Sequence, residues 1–337
     1  MKFLFRTDAS FEIGAGHFMR CFALSQRLKE DNNDIIFLTN TQNPDLLARI
    51  DKENIKLEKS IVYEELLLDA KNTVKVAQKY NTDWIITDGY KFETNYQRQI
   101  KKSGFKLMCI DDVAACHYVS DIILNQNLNA NRVFKYSCEK YTKLLLGLKF
   151  VLLRREYRNM KNYNKVIHDK CNNLLITIGG NNMQEYIKKL LDSIYLLNMN
   201  LNIKILAGSK SEFKYDLNEF KNHKHSIELI AVVDNIIPFI KWCDLAITAS
   251  GSTVWELMSL QTPMITIVLA KNQEEIANQI AMEKAGINLS YIKDTDKNVI
   301  AEKIESIIIS SEIRKNMAKN CKRLIPSIEN NCDYFLQ

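Results

Sequence analysis

The chain predicts an α/β protein of two Rossmann-like domains, 1–157 and 172–337, each with a parallel sheet covered by helices. Three observations carry this. Apolar strands alternate with helices of helical periodicity through both halves, and a polar stretch at 156–172 separates the halves. The 337 residues suffice for two separate cores. Seven of the ten glycines (14, 16, 89, 179, 180, 208 and 251) fall where a predicted strand ends, the edge of a parallel sheet where loops meet helix N-termini.

In the first half, strands are expected near 2–7, 34–39, 55–58, 83–88, 105–111 and 121–125. Runs such as Ile35-Ile36-Phe37-Leu38 are apolar throughout, as a strand buried on both faces requires. Helices are expected near 17–31, 44–53, 62–80 and 92–103. The first places Phe18, Cys21, Phe22 and Leu28 on one face and Arg20, Arg27 and Lys29 on the other. Residues 156–172 lose apolar patterning and read as a linker. Strands near 173–178, 202–207, 227–231, 244–248 and 264–268 then alternate with helices near 183–197, 212–221, 234–242, 252–260 and 273–285. Two last helices, near 297–310 and 312–324, either close the second domain or cross back onto the first. Two similar sheets imply a cleft between the halves.

Hydrophobic residues at 46% and charged residues at 26% are ordinary for a globular chain and argue against disorder. The net charge of +6 comes without a polybasic arm, so no nucleic-acid partner is expected. No apolar run reaches the roughly 20 residues of a membrane span, and the N-terminus begins on a strand without a signal peptide. The eight cysteines are scattered without metal-ligand spacing and read as free thiols in a reducing cytoplasm. No metal and no cofactor are expected.

Chemistry enters at the first junction. Phe3 to Thr7 form a strand that breaks at Asp8 and runs through Gly14-Ala15-Gly16 into His17, which opens a helix. Glycines let backbone approach a ligand, and the helix start favours an anion. The helix dipole disfavours imidazolium at His17, so the ring is expected to be neutral and able to accept a proton; a capping histidine is the alternative. Gly14, Gly16 and Arg20 are expected to line the ligand. Asp8, across the same loop, orients His17, contacts a sugar hydroxyl, or forms the turn.

A second cluster follows the strand 244–248: Ala249-Ser250-Gly251-Ser252-Thr253-Val254-Trp255-Glu256. Ser250, Gly251, Ser252 and Thr253 offer N–H and O–H donors for a diphosphate at a helix start. Glu256, a turn further on, accepts ribose hydroxyls or stands as a solvated helix residue. Gly180, in Ile178-Gly179-Gly180-Asn181-Asn182, leaves its strand toward the same cleft. Neither loop is a Walker loop or a complete G-x-G-x-x-G. Tyr90 follows a glycine at a strand end, suited to stacking on a sugar or to rim packing. Asn125 and Asn127 offer amides for hydrogen bonds to a ligand. Asn272 and Gln273 can face the sugar, and Asn272 also reads as a helix cap.

These segments together resemble the family of UDP-2,4-diacetamido-2,4,6-trideoxy-β-L-altropyranose hydrolases of pseudaminic acid biosynthesis. The likeness spans most of the chain. It rests on Arg6-Thr7-Asp8-Ala9, Ile13-Gly14-Ala15-Gly16-His17-Phe18-Met19-Arg20-Cys21, Thr87-Asp88-Gly89-Tyr90, Ile110-Asp111-Asp112-Val113-Ala114 and Cys116-His117. It continues through Asp121 to Asn127, Leu146 to Arg154, Ile178-Gly179-Gly180, Ala249 to Glu256 and Ala270-Lys271-Asn272-Gln273. The resemblance implies a glycosyltransferase B-like architecture with UDP held by the C-terminal domain. It implies that His17 activates water for inverting attack at the anomeric carbon, that Tyr90 lines the sugar pocket, and that Glu256 with Gly251 to Thr253 holds UDP. The chain departs from the family pattern at Gly89, at Ala115-Cys116 and at Asn181-Asn182. The expected partner is a UDP-sugar, and the chain is expected to be a cytoplasmic monomer or weak homo-oligomer. A glycosyltransferase of the same architecture, a hydrolysing 2-epimerase and a silent nucleotide-sugar binder are the rival readings.

Overall fold

The computed structural model describes residues 1–10, 14–63, 65–179, 183–207, 224–231 and 233–325. They fall into two compact units, 1–158 and 159–325. In the first, chain order runs β1 (Lys2–Thr7), α1 (Gly16–Glu30), β2 (Asp34–Thr39), α2 (Pro44–Lys52), β3 (Lys56–Lys59), α3 (Leu66–Tyr80), β4 (Trp84–Asp88), α4 (Thr94–Lys102) and β5 (Lys106–Ile110). There follow β6 (His117–Tyr118), β7 (Ile122–Asn125), α5 (Ala130–Val133), β8 (Ser137–Cys138), β9 (Lys143–Leu146) and α6 (Arg155–Arg158). Seven strands form one sheet, ordered β3-β2-β1-β4-β5-β7-β9, with every pairing parallel.

Side-chain alternation in β1 shows why both faces are covered. Phe3 and Phe5 enter a core with Phe18 and Phe22 of α1, whereas Leu4 enters a second core with Ala70 and Val74 of α3 and Ile100 of α4. Strand order reverses between β1 and β4, so their carboxyl ends open a crevice that no crossover covers.

The second unit contains β10 (Asn173–Thr177), α7 (Met183–Ile194), β11 (Asn202–Ala207), β12 (Ser226–Ala231), α8 (Ile237–Trp242) and β13 (Leu245–Ala249). It continues with α9 (Thr253–Ser259), β14 (Met264–Ile267), α10 (Glu274–Met282), β15 (Ile287–Asn288), α11 (Lys297–Ile308) and α12 (Ser311–Leu324). The sheet order is β12-β11-β10-β13-β14-β15, again parallel, and the reversal falls between β10 and β13. Helix α11 packs on α7, and α12 on α9 and α11, so the two last helices close the second unit.

Several sequence expectations are refined. Helix α3 starts at Leu66 rather than 62, and β9 and β15 add edge strands too short and irregular for their pattern to be read. The helix expected at 212–221 lies outside the described residues. The stretch read as a linker is fastened at both ends. Tyr157 of α6 is buried in the first unit, while Lys165 Nζ donates to the Ile240 carbonyl (2.6 Å), Gln261 to the Tyr163 carbonyl (2.7 Å), and Arg314 to the carbonyls of His168 and Asp169 (2.8 and 2.9 Å). These contacts use backbone carbonyls, which leave no imprint on hydropathy.

Glu30, at the end of α1, accepts from Arg155 and Arg158 at 2.7–2.8 Å and so pins α6 to α1. Burial works against its charge, but Arg158 and Arg155 outweigh this and bring its carboxyl from 4.5 down to about 2. A value depressed on folding contributes stability above the unfolded value that is lost as pH falls through the folded one. Glu30→Gln is therefore expected to flatten thermal stability between pH 4.5 and 2 relative to the parent, by at most about 1 kcal/mol after solvent screening. Melting curves across that range measure it.

Candidate active site

The crevice at the carboxyl ends of β1 and β4 is built around a histidine and an aspartate. His17 is the second residue of α1, and the preceding loop folds back through the Gly14 N–H to the Ser10 carbonyl (2.9 Å), with Gly14 at φ +77°. That backbone conformation suits glycine, and space around Gly14 and Gly16 is open. Asp88 ends β4. Its Oδ1 lies 2.6 Å from His17 Nδ1. Two acceptors do not approach so closely, so Nδ1 carries a hydrogen donated to Asp88, and in the neutral ring Nε2 is the acceptor.

Arg20, one turn along α1, fixes the aspartate. Its Nε and Nη2 donate to Asp88 Oδ2 and Oδ1 (2.5 and 2.7 Å), and its Nη1 donates to Asp112 Oδ2 (2.6 Å). Burial opposes a charge on Asp112, but Arg20 overrides it and holds the carboxyl below the usual range. Burial, reinforced by Asp88, raises the Cys21 thiol, which donates weakly to Asp88. Tyr90, 47% exposed, meets the His17 ring edge-on at 4.8 Å between centroids. It follows Gly89, whose φ of +147° favours glycine and where an added Cβ would press on the Phe92 ring at 3.1 Å.

Several expectations for this edge are corrected. Asp8 does not reach His17: its carboxylate is engaged by Arg6 Nη1 (2.6 Å), the Asn40 N–H (2.9 Å) and Lys91 Nζ (2.7 Å). The orienting carboxylate is Asp88, because β4 and not the end of β1's own loop lies beside the ring. Arg20 is not a ligand-facing cation, since its guanidinium is buried between Asp88 and Asp112. The Asn125 side chain likewise turns inward, accepting from the Asn127 N–H (2.9 Å) and donating to Tyr136 (3.0 Å). Asn127 is itself buried beside it.

In the second unit the reversal point carries the loop after β13. Gly251, Ser252 and Thr253 are half-buried at the start of α9, and Glu256 lies one turn on, also half-buried. Ser250 is the exception: its hydroxyl donates to the Ile267 carbonyl (2.9 Å) and is fully buried, so it braces β14 instead of facing a ligand. Gln273 accepts from the Leu269 N–H (3.0 Å), holding the turn before α10, and Asn272 is exposed beside it. Gly180 lies outside the described residues. Among the described residues, no three histidine, cysteine or acidic side chains gather to hold a metal.

Residues 173–330 match the glycosyltransferase family 28 C-terminal domain. The chain also superposes on the spinosyn rhamnosyltransferase SpnG with a TM-score of 0.68 and 12% identity, over 97% of this chain and 96% of the other. The fold is therefore glycosyltransferase B-like, with two Rossmann-like units. Among sequences, the chain is 24% identical to the UDP-2,4-diacetamido-2,4,6-trideoxy-beta-L-altropyranose hydrolase of Campylobacter jejuni, over 86% of this chain and 99% of the relative. It is 26% identical to a Helicobacter pylori protein named as pseudaminic acid cytidylyltransferase and the same hydrolase, over 78% of this chain and 47% of that one.

No helix is long and apolar enough to cross a membrane among the described residues. The sequence reading names His17 and Tyr90, which lie together at this edge, but gives no role to Asp88 or Asp112, which the structure places beside them. The signal for Asp88 was present, an aspartate closing an apolar strand just before glycine.

Proposed function

We propose that the protein hydrolyses a UDP-linked 2,4-diacetamido-2,4,6-trideoxy sugar, water replacing UDP at the anomeric carbon with inversion. The observation that carries this reading is the His17 Nδ1 to Asp88 contact of 2.6 Å, which leaves Nε2 free of that bond as a proton acceptor at the carboxyl edge of the sheet. Nε2 takes the proton of the attacking water, and Asp88, held between His17 and Arg20, stabilises the imidazolium that forms. UDP departs with its bonding electrons. Gly251, Ser252 and Thr253 provide donors for the diphosphate, and Glu256 accepts from the ribose. The likeness to the Campylobacter hydrolase along nearly its whole length supports the substrate.

A glycosyltransferase is the second reading, favoured by the family 28 match and by the rhamnosyltransferase likeness. Incubation with the UDP-diacetamido sugar and no acceptor separates the two. Hydrolysis is expected, with one solvent oxygen entering C1 and free UDP accumulating; His17→Ala loses at least two orders of magnitude. UDP release that waits on an added acceptor alcohol makes the protein a transferase.

A further inference from the structure

The loop after β5 carries two adjacent aspartates with different tasks. Asp111 is spent on the loop itself: its Oδ2 accepts from the N–H groups of Val113 (3.0 Å) and Ala114 (2.7 Å) and from Tyr136 (2.8 Å), and its Oδ1 from Tyr118 (2.7 Å). This side-chain turn fixes the backbone on which Asp112 stands. Asp112 reaches out of the loop. Its Oδ2 takes Nη1 of Arg20 (2.6 Å), and its Oδ1 is buried without a hydrogen-bond partner among the described residues. A buried acceptor left unpaired costs free energy and calls for an explanation beyond folding.

Proton uptake by His17 meets an electrostatic obstacle that Asp112 removes. Arg20 Nη2 lies 3.0 Å from His17 Nδ1, so a permanent positive charge stands against a ring that has to become positive. Asp88 is shared between them, through Oδ1 to His17 and through both oxygens to Arg20. One carboxylate against two cations leaves a positive excess in a buried setting, where charges are weakly screened. Asp112, on the remaining arm of Arg20, supplies the second carboxylate. Burial opposes its charge, but Arg20 and then His17 outweigh this, with the Tyr90 hydroxyl assisting. Of the other titratable groups at this edge, Cys21 is kept neutral by burial, and Asp8 is engaged by Arg6 and Lys91. Residues 11–13 lie outside the described residues.

We propose that Asp112 is a positioning residue whose charge offsets Arg20, so that His17 can accept the proton of the attacking water. The proposal rests on the hydrolase reading for the source of that proton. Asp88 sets the tautomer of the ring, and Asp112 acts through Arg20 and through space.

Two neutral variants, Asp112→Asn and Asp112→Ser, provide for the failure of either to fold, and Asp112→Glu restores the charge one methylene further out. The imidazole NMR signals of His17, assigned by their loss in His17→Gln, are followed against pH in the ligand-free protein. The midpoint is expected to fall by about one pH unit in the neutral variants, because removing an anion disfavours imidazolium, and to return towards the parent in Asp112→Glu. The low-pH limb of kcat/KM for UDP release is expected to move the same way, with the plateau roughly tenfold lower, through kcat and not KM, because a weaker base takes the proton less readily. A midpoint unmoved in a folded neutral variant, or moved as far by Asp112→Glu, overturns the proposal. Loss of folding in both neutral variants makes Asp112 a structural partner of Arg20 and overturns it as well. A parent that releases no UDP from the diacetamido sugar overturns the hydrolase reading, and the NMR midpoint still decides whether Asp112 acts on the ring.

Discussion

Asp88→Asn is expected to lower turnover of the UDP-sugar by roughly 10²- to 10⁴-fold with UDP affinity unchanged. An amide in this place presents an N–H₂ as well as a carbonyl, and the two partners of Asp88 compete for the carbonyl. Arg20 donates twice, through Nε and Nη2, and cannot reverse its role. The amide carbonyl therefore stays with the guanidinium, and the N–H₂ faces His17 Nδ1. That makes Nδ1 the acceptor and moves the imidazole hydrogen to Nε2, the position from which a proton must be taken. His17→Gln separates chemistry from folding, since it leaves Asp88 paired with Arg20. Steady-state UDP release, isothermal titration with UDP and melting curves on both variants measure the outcome. Turnover within tenfold of the parent in a folded Asp88→Asn protein removes this pair from the mechanism.

The parts legible in the sequence were those encoded locally. Apolar runs such as Leu174 to Ile176 and Ala246 to Ile247 give strands because a parallel strand buried on both faces needs no alternation. Glycines at strand ends located the carboxyl edges, and His17 at a helix start was visible for the same reason. Pairing was not legible. Asp8 and Asp88 stand equally at the ends of strands, and only the adjacency of β1 and β4 decides which carboxylate reaches the ring. Arg20, Asn125 and Ser250 read as ligand-facing because their types are those of binding residues, but each is committed to an internal partner more than ten residues away along the chain. Burial of a polar side chain depends on neighbours from other strands, and so cannot be read from one segment.

The largest expected effect on stability lies in a buried charge cluster at the same edge. Arg6, fully buried on β1, donates from Nε and Nη2 to Asp69 (2.9 and 2.6 Å) and from Nη1 to Asp8 (2.6 Å). Lys91 adds its ammonium to both carboxylates, at 2.7 and 3.3 Å. Burial penalises each anion, yet Arg6 overcomes the penalty and lowers both below the ordinary aspartate range. Arg6→Met keeps most of the side-chain volume but leaves two buried carboxylates with one half-exposed ammonium. The expected cost is roughly 3–5 kcal/mol, against a total stability of about 5–15 kcal/mol, seen as a fall in Tm on the order of 10 °C. The depressed carboxylates contribute fully in the parent above their unfolded value of 3.8 and lose that contribution as pH falls from there through their lower folded values, while the unpaired ones in the variant regain neutrality by taking up protons, so the gap between the two proteins narrows as pH falls below 3.8. Packing loss alone would leave the gap independent of pH. Combining Arg6→Met with Asp8→Asn and Asp69→Asn is expected to recover most of the stability, because a cluster neutralised as a whole leaves no charge stranded in the interior. Denaturant midpoints for the parent, the single and the triple variants at pH 7 and pH 3 decide it: a triple variant no more stable than Arg6→Met at pH 7 makes the guanidinium a packing element and removes the charge argument.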